Sequence, residues 1–417
     1  MAEPGWVAPM NKSLVRWKKE WTEFVAIAVA LRLFYALVGL LIVSRGGPIP
    51  LNESVYVQMK PFLRNDVFSQ FFINPWFGWD TISYLRIAMF GYGVQDSSVA
   101  FMPLYPILIR LASPLLGGDY LLTALMLSTL FSVITLILLY ELFAEIFNSK
   151  ISRQAVILFI SFPTAFFLFA GYTESLFLTL VLAFWILGRR KRWYWAALFS
   201  GLATLTRLQG LILAPVLLWM MLISLVKEPD PSPIGQVRQV WELFKSSKHK
   251  IIHSGYKTAW LTVLTPVLVA LAYQTWLYAS GFGSIPGTLQ EHWKIKTVMP
   301  WTGIALFFQR LVTTSFIYMD WIDLALFVVV LLASLIGLRL FEPAFSLYIW
   351  MTIGVLFTRG TPPFLLASYS RYFLVLFPLF VLPALSNNKS PRLVVFFVFS
   401  LSQILLVGVF LWGSWVA

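Results

Sequence analysis

The amino-acid sequence predicts an all-α, polytopic membrane protein of about eleven transmembrane helices with a long first outer loop. Three observations carry that prediction. Hydrophobic residues make up 59% of the 417-residue chain against 12% charged, and mean hydropathy is +0.79, values that exclude an ordinary soluble protein. Many of the positive charges behind the formal net charge of +13 fall in short loops between apolar runs. There they set topology and attract anionic lipid headgroups, so nucleic acid is not an expected partner. Apolar runs of spanning length recur along the whole chain without an internal repeat, which disfavours inverted-repeat transporter folds. The chain reads as one integral membrane domain over residues 1–417.

Residues 1–22 are polar and basic, with Lys12, Arg16, Lys18 and Lys19, and place the N-terminus in the cytoplasm. The apolar run from Phe24 to Val43 lacks a convincing small-residue cleavage site and reads as a retained first helix. Residues 45–118 form the outer loop, mixed in polarity and punctuated by proline, with short helices expected at the membrane surface. A second helix is expected from Tyr120 to Phe147, a basic turn from Asn148 to Arg153, a third helix to Ala170, an outer turn at Gly171 to Glu174 and then a fourth helix. Arg189-Arg190-Lys191-Arg192 marks the cytoplasmic side.

Residues 193–226 read as two shorter helices meeting near Arg207 to Gly210. Residues 227–257 carry Pro229, Pro231 and Pro233 and seven Lys, Arg and His residues from Arg238 to Lys257, and read as a solvated cytoplasmic connector. A helix from Thr258 to Ala279 leads to an outer loop and surface helix over 280–319. Choosing a surface helix for 301–319 leaves Arg339, Lys389 and Arg392 cytoplasmic. Spans are expected over 321–338, 343–358, 371–386 and 393–413.

The chain has no cysteine, so disulfides and thiolate chemistry are excluded. Two of its three histidines, His249 and His253, lie in the Lys-rich connector, which makes a histidine-built metal centre improbable. No paired acidic cluster asks for a metal and no Gly-rich phosphate loop follows a strand, so neither metal nor cofactor is expected.

The candidate site starts at Trp79-Asp80-Thr81-Ile82-Ser83-Tyr84. A helix beginning here puts Asp80, Tyr84 and Ala88 on one face with Asp80 as its N-cap, its carboxylate kept ionised by the helix dipole. Such a carboxylate can accept a proton from an alcohol. The same placement serves equally as a plain helix cap, with Trp79 as an interfacial anchor. On the expected topology Asp80, Glu174, Arg207, Gln209, His292, Lys294, Arg359 and Arg371 gather at outer helix ends, where charges face a cavity or a partner. Arg207 reads either as a snorkelling residue or as a guanidinium clamp for phosphate, and Arg371 allows the same two readings. Glu174 reads as a cap or a substrate contact, and His292 and Lys294 as headgroup contacts.

Several separate stretches resemble one family. They are Trp79-Asp80-x3-Tyr84-x2-Ile87-Ala88-x2-Gly91-Tyr92, Ala100-Phe101-Met102-Pro103-Leu104-Tyr105-Pro106, Phe162-Pro163-Thr164-Ala165-Phe166-Phe167 with Tyr172-Thr173-Glu174-Ser175, and Ala203-Thr204-x-Thr206-Arg207-x-Gln209-Gly210. Together they are similar to the PIG-V family, which contains the enzyme adding the second mannose of GPI anchors as well as prokaryotic relatives. Ser284 to Trp293 and Ser370 to Pro378 resemble the prokaryotic branch loosely. The resemblance implies a class C (GT-C-like) glycosyltransferase whose first outer loop carries the acidic catalytic residue, here Asp80. It implies a polyprenyl-phosphate mannose donor and a glycolipid or glycan acceptor. Arg207, Arg371 and Lys294 are then candidates for the donor phosphate, and Trp79, Tyr84, Tyr172, Glu174, Gln209 and His292 for substrate. Gln209 stands where eukaryotic members usually have Asn, and Met102 where Phe is common, which leaves acceptor identity open. The expected location is the cytoplasmic membrane of a prokaryote with the site on the outer face, or the ER membrane of a eukaryote. A transporter or lipid flippase and a non-catalytic scaffold subunit are the competing readings. Against transport stands the one-sided gathering of the polar residues, since alternating access wants a midplane site.

Overall fold

The computed structural model describes residues 17–47, 54–93, 97–246, 258–313, 318–360 and 368–416. The basic N-terminal residues 1–16, Glu53 and the connector residues 247–257 with both of its histidines lie outside this range. The chain forms α1 (Trp17–Ser44), the short α2 (Ser54–Met59), α3 (Asp80–Phe90), α4 (Leu104–Ala112), α5 (Tyr120–Ile146), α6 (Ser149–Ile160), α7 (Glu174–Arg189), α8 (Trp193–Thr206) and α9 (Leu213–Ile223). There follow α10 (Pro233–Ser246), α11 (Thr265–Ala279), α12 (Ile285–Trp293), α13 (Pro300–Thr313), α14 (Tyr318–Leu340), α15 (Pro343–Leu356), α16 (Tyr369–Phe373), α17 (Val381–Ala384) and α18 (Lys389–Leu411). A two-residue antiparallel pair joins β1 (Lys296–Thr297) to β2 (Arg359–Gly360), with Thr297 opposite Arg359.

Among the described residues five helices are long and apolar enough to cross a membrane: Lys19–Ser44, Tyr120–Ile146, Ala259–Ala279, Met319–Leu340 and Lys389–Leu411. Their outward faces are what a lipid solvent selects. On α1, Leu33, Leu37 and Leu41 are exposed at four-residue spacing, while Phe24, Ala28 and Tyr35 are buried on the other side. By contrast α7 is buried on nearly every face, packs against both α5 and α8, and is the centre of the bundle. Small polar residues bring α5 close to it: Thr135 Oγ1 lies 3.0 Å from Thr179 Oγ1 and donates to the Ser175 carbonyl at 3.1 Å.

Three expectations are corrected. The third helix stops at Ile160 instead of Ala170, because Pro163 cannot continue it and biases the residue before it away from helix. Residues 161–173 run irregularly around a 3-10 turn at Ala165–Leu168. Their freed carbonyls find partners from distant helices: Gln403 donates to Ile160 and Phe162 at 2.9 and 2.8 Å, and Arg32 donates to Phe169 at 2.9 Å. The basic turn is instead the start of α6, since the Asn148 side chain accepts the Ile151 N–H at 3.0 Å and caps the helix. The expected span over 371–386 is broken into α16, a 3-10 turn at Phe377–Phe380 and α17, with Pro378 and Pro383 inside the run. Within the connector, α10 occupies 233–246 with Val240 buried.

Candidate active site

The irregular segment 161–173 delivers Tyr172, Thr173 and Glu174 to the end of α7, and α3 docks its first turn against them. Gly171 allows the approach, since a Cβ there would sit 2.7 Å from Thr81 Cγ2. Tyr172 Oη accepts the Asp80 backbone N–H at 3.3 Å, and Tyr84 Oη lies 3.3 Å from Thr173 Oγ1. Tyr84 also stands edge-on to Phe101 and Tyr105, with centroids 5.1 and 5.4 Å away, which ties the second half of the outer loop to the same corner.

Asp80 is the first residue of α3 and not its N-cap. The cap is Trp79, whose side chain makes no capping bond and whose backbone has φ 53° and ψ −130°. Thr81 N–H donates to the Gly78 carbonyl at 3.2 Å, so Trp79 occupies a turn position that normally belongs to glycine. Strain of this kind costs on the order of 1–3 kcal/mol and clusters at functional sites. The Trp79 indole N–H is buried without a hydrogen-bond partner.

Freed from capping, the Asp80 carboxylate takes part in a buried ionic chain. Arg371 Nη1 donates to Asp80 Oδ2 at 2.7 Å, and Arg371 Nε lies 3.3 Å from Glu174 Oε1. Arg207 Nη1 donates to the same Glu174 Oε1 and lies 3.4 Å from Thr173 Oγ1. The Glu174, Arg207 and Arg371 side chains are 1%, 9% and 9% exposed, whereas Asp80 is 29% exposed. Asp80 is therefore the member of the chain that opens outward. Glu174 starts α7, where Thr173 holds the cap position, and its carboxylate faces the two guanidiniums.

Aromatic faces complete the cage. The Arg207, Arg359 and Arg371 guanidiniums lie 5.1, 5.1 and 5.5 Å from the Tyr372 ring centroid, and Arg371 also lies 5.3 Å from Tyr172 and 5.6 Å from Phe167. The backbone beside Arg371 is clamped on both sides of Ser370. Asp323 Oδ1 accepts the Ser370 N–H at 3.1 Å, and Thr164 Oγ1 donates to the Ser370 carbonyl at 2.9 Å.

The structure thus joins Asp80, Tyr84, Tyr172, Glu174, Arg207 and Arg371, with Trp79 adjacent. It does not bring Lys294 or His292 to them. Lys294 ends α12 with φ 56°, and its Nζ donates to the Glu291 carbonyl at 2.9 Å. With Gly287, Gln290, Glu291 and Lys296 it lines an open surface cavity of about 470 Å³. His292 is exposed, 6.0 Å ring to ring from Trp293. Gln209 lies half-buried in the 3-10 turn Leu208–Ile212, and among the described residues no hydrogen bond joins its side chain to the cluster. Sequence reasoning missed Asp323, Thr164 and the Tyr372 ring. Tyr372 carried a signal, since it directly follows Arg371, but the Ser370 clamp has none because its parts are far apart in the chain. Among the described residues no group of three or more His, Asp or Glu side chains converges as a metal site would.

A family profile described as Mannosyltransferase (PIG-V) matches residues 18–231, just over half of the chain. The chain belongs to this mannosyltransferase family. All the stretches that carry the resemblance, from Trp79 to Gly210, fall inside the matched region. A GPI mannosyltransferase 2 of Schizosaccharomyces pombe is 25% identical over 251 residues, which cover 57% of this chain and 51% of that protein. The chain therefore spans about half the length of this curated relative. Among solved structures, the oligosaccharyltransferase of Archaeoglobus fulgidus tethered to an acceptor peptide aligns at 14% identity with a TM-score of 0.42, covering 94% of this chain and 55% of that one. The same archaeal enzyme in complex with an inhibitory peptide and a dolichol-phosphate aligns at 13% identity with a TM-score of 0.40, covering 95% and 56%. Membership in the PIG-V family, with five helices long and apolar enough to cross a membrane among the described residues, supports a multi-pass membrane protein.

Proposed function

We propose that the chain transfers mannose from a polyprenyl-phosphate donor to a hydroxyl of a glycolipid or glycan acceptor, with inversion at the anomeric carbon and Asp80 as general base. The observation that supports this best is the one partly exposed carboxylate at the mouth of a buried, guanidinium-rich cage. In the proposed step the acceptor oxygen attacks the anomeric carbon while its proton passes to Asp80. The bond from that carbon to the phosphate oxygen breaks, and the oxygen leaves with the electron pair. Arg371 and Arg207 stabilise the charge gathering on the phosphate. Trp79, Tyr84 and Tyr172 wall the sugar side, and Trp79 offers its unpaired indole N–H to a sugar hydroxyl.

The site is assigned to the outer face, because α7 runs from Glu174 to the basic Arg189–Arg192 run, which marks the cytoplasmic end. The proposed step calls for no metal, because Arg371 and Arg207 meet the charge on the departing phosphate. The test is transfer by the purified full chain in detergent, given polyprenyl-phosphate mannose and a panel of glycolipid and glycan acceptors, with and without chelator. Transfer with inverted configuration and indifference to chelator are expected. Activity lost in chelator and restored by Mg²⁺ or Mn²⁺ would overturn the metal-independent step, and retained configuration would overturn Asp80 as base.

A further inference from the structure

Among the described residues, Arg371 is the single side chain that ion-pairs with both the base and the interior carboxylate of the cage. Its Nη1 holds Asp80 Oδ2 at 2.7 Å, while its Nε, 3.3 Å from Glu174 Oε1, makes no hydrogen bond. Glu174 is already the acceptor for Arg207, so the interior carboxylate does not need Arg371 to complete a pair. The Arg371 guanidinium lies against Tyr172, Phe167 and Tyr372, and the neighbouring Ser370 peptide is pinned by Asp323 and Thr164. The pivot is therefore fixed, and only the fork of the guanidinium can change partner.

Resting on the function proposed above, we infer that Arg371 is a shared cation that hands its charge from Asp80 to the departing phosphate, so that the base and the leaving group compete for one guanidinium. The electrostatic reason is conservation of charge in a low-dielectric site. Before transfer Asp80 is a carboxylate and the donor phosphate is a diester carrying one negative charge. After transfer Asp80 has gained the acceptor's proton, and the phosphate is a monoester with a charge of about −1.5 to −2 at neutral pH. One negative charge has left Asp80 and one has arrived on the phosphate. Arg371 follows it, and the cage never holds an uncompensated charge. Two consequences follow. In the free enzyme the base is restrained by Arg371 until phosphate draws the guanidinium away. The monoester product is held more tightly while Asp80 stays protonated, so release of product follows loss of that proton.

The experiment is calorimetric binding of two probes to the detergent-purified chain: farnesyl phosphate, a monoester, and its methyl diester. Wild type is compared with Asp80→Asn and Arg371→Lys. Asp80→Asn removes the competitor for Arg371, so it is expected to bind the monoester about tenfold more tightly than wild type and the diester markedly less so. Arg371→Lys, which keeps the charge but loses the fork, is expected to lose more affinity for the monoester than for the diester. Equal gains for both probes in Asp80→Asn, or no gain, would overturn the inference. Should Asp80→Asn not fold, equal losses for both probes in Arg371→Lys would overturn it. Sugar transfer by the same Asp80→Asn preparation separates the two ideas. An inactive variant with unchanged monoester binding defeats only the charge hand-over, whereas an active variant defeats the general base itself.

Discussion

The two ends of α7, roughly 24 Å apart, both carry ion pairs, and the pairs differ in everything but charge. At the Arg189 end, Arg189 pairs with Glu342, Arg190 with Glu145, and nearby Arg153 with Glu23 at 2.8 Å. These are one-to-one pairs that are partly exposed, from 18% for Glu145 to 51% for Arg153. They tie α6, α7, α1, α5 and α15 together at little cost. At the Glu174 end one carboxylate oxygen faces two guanidiniums, a third guanidinium faces the Tyr372 ring they share, and Glu174, Arg207 and Arg371 are buried. Taking each ion out of water costs several kcal/mol, which pairing only partly repays. A fold that needed ion pairs only for stability would use the first kind. The second kind fits the proposal that this end of α7 holds a charged substrate.

That contrast sets the expected effects of mutation. Glu174→Ala leaves Arg207 buried without a carboxylate and is expected to destabilise the protein by about 3–5 kcal/mol, read as a fall in thermal unfolding temperature in detergent. A loss below about 1 kcal/mol would mean that water reaches the cage and that the two ends do not differ. Asp323→Ala strands the buried Ser370 N–H at a cost of about 1–3 kcal/mol and lets Arg371 drift, so sugar transfer should fall while Asp323→Asn, which can still accept that bond, restores it. Failure of Asn to rescue would show that the charge of Asp323 matters and not its hydrogen bond. At the other end, Arg153→Ala is expected to change stability by no more than about 1 kcal/mol, an effect that fades at high salt.

The long spans were legible because length and hydropathy suffice for them: α1, α5, α14 and α18 lie close to where their apolar runs predict. The break after Ile160 was not, although Pro163 was visible. A proline in an apolar run reads equally as a tolerated kink, and what decides is whether distant groups such as Arg32 and Gln403 arrive to satisfy the freed carbonyls. The site divides in the same way. Asp80, Glu174, Arg207 and Arg371 each stood out as expensive charges, but their partnership spans 291 positions between Asp80 and Arg371 and leaves no local trace. Lys294 and His292 were grouped with them because sequence reports only the side of the membrane, and a side is much larger than a site. The capping role expected of Asp80 failed for a related reason. Spacing placed it at the start of a helix, but its carboxylate found a guanidinium from the far end of the chain.

The role of Asp80 is decided by mannose transfer from polyprenyl-phosphate mannose by Asp80→Asn beside Glu23→Gln, the same loss of one carboxylate charge at the two ends of the bundle. Asp80→Asn is expected to lower transfer by about 10²–10⁴-fold with the protein still folded, and Glu23→Gln to transfer like wild type. Full transfer by Asp80→Asn would contradict that role and would leave Glu174 as the next carboxylate to test.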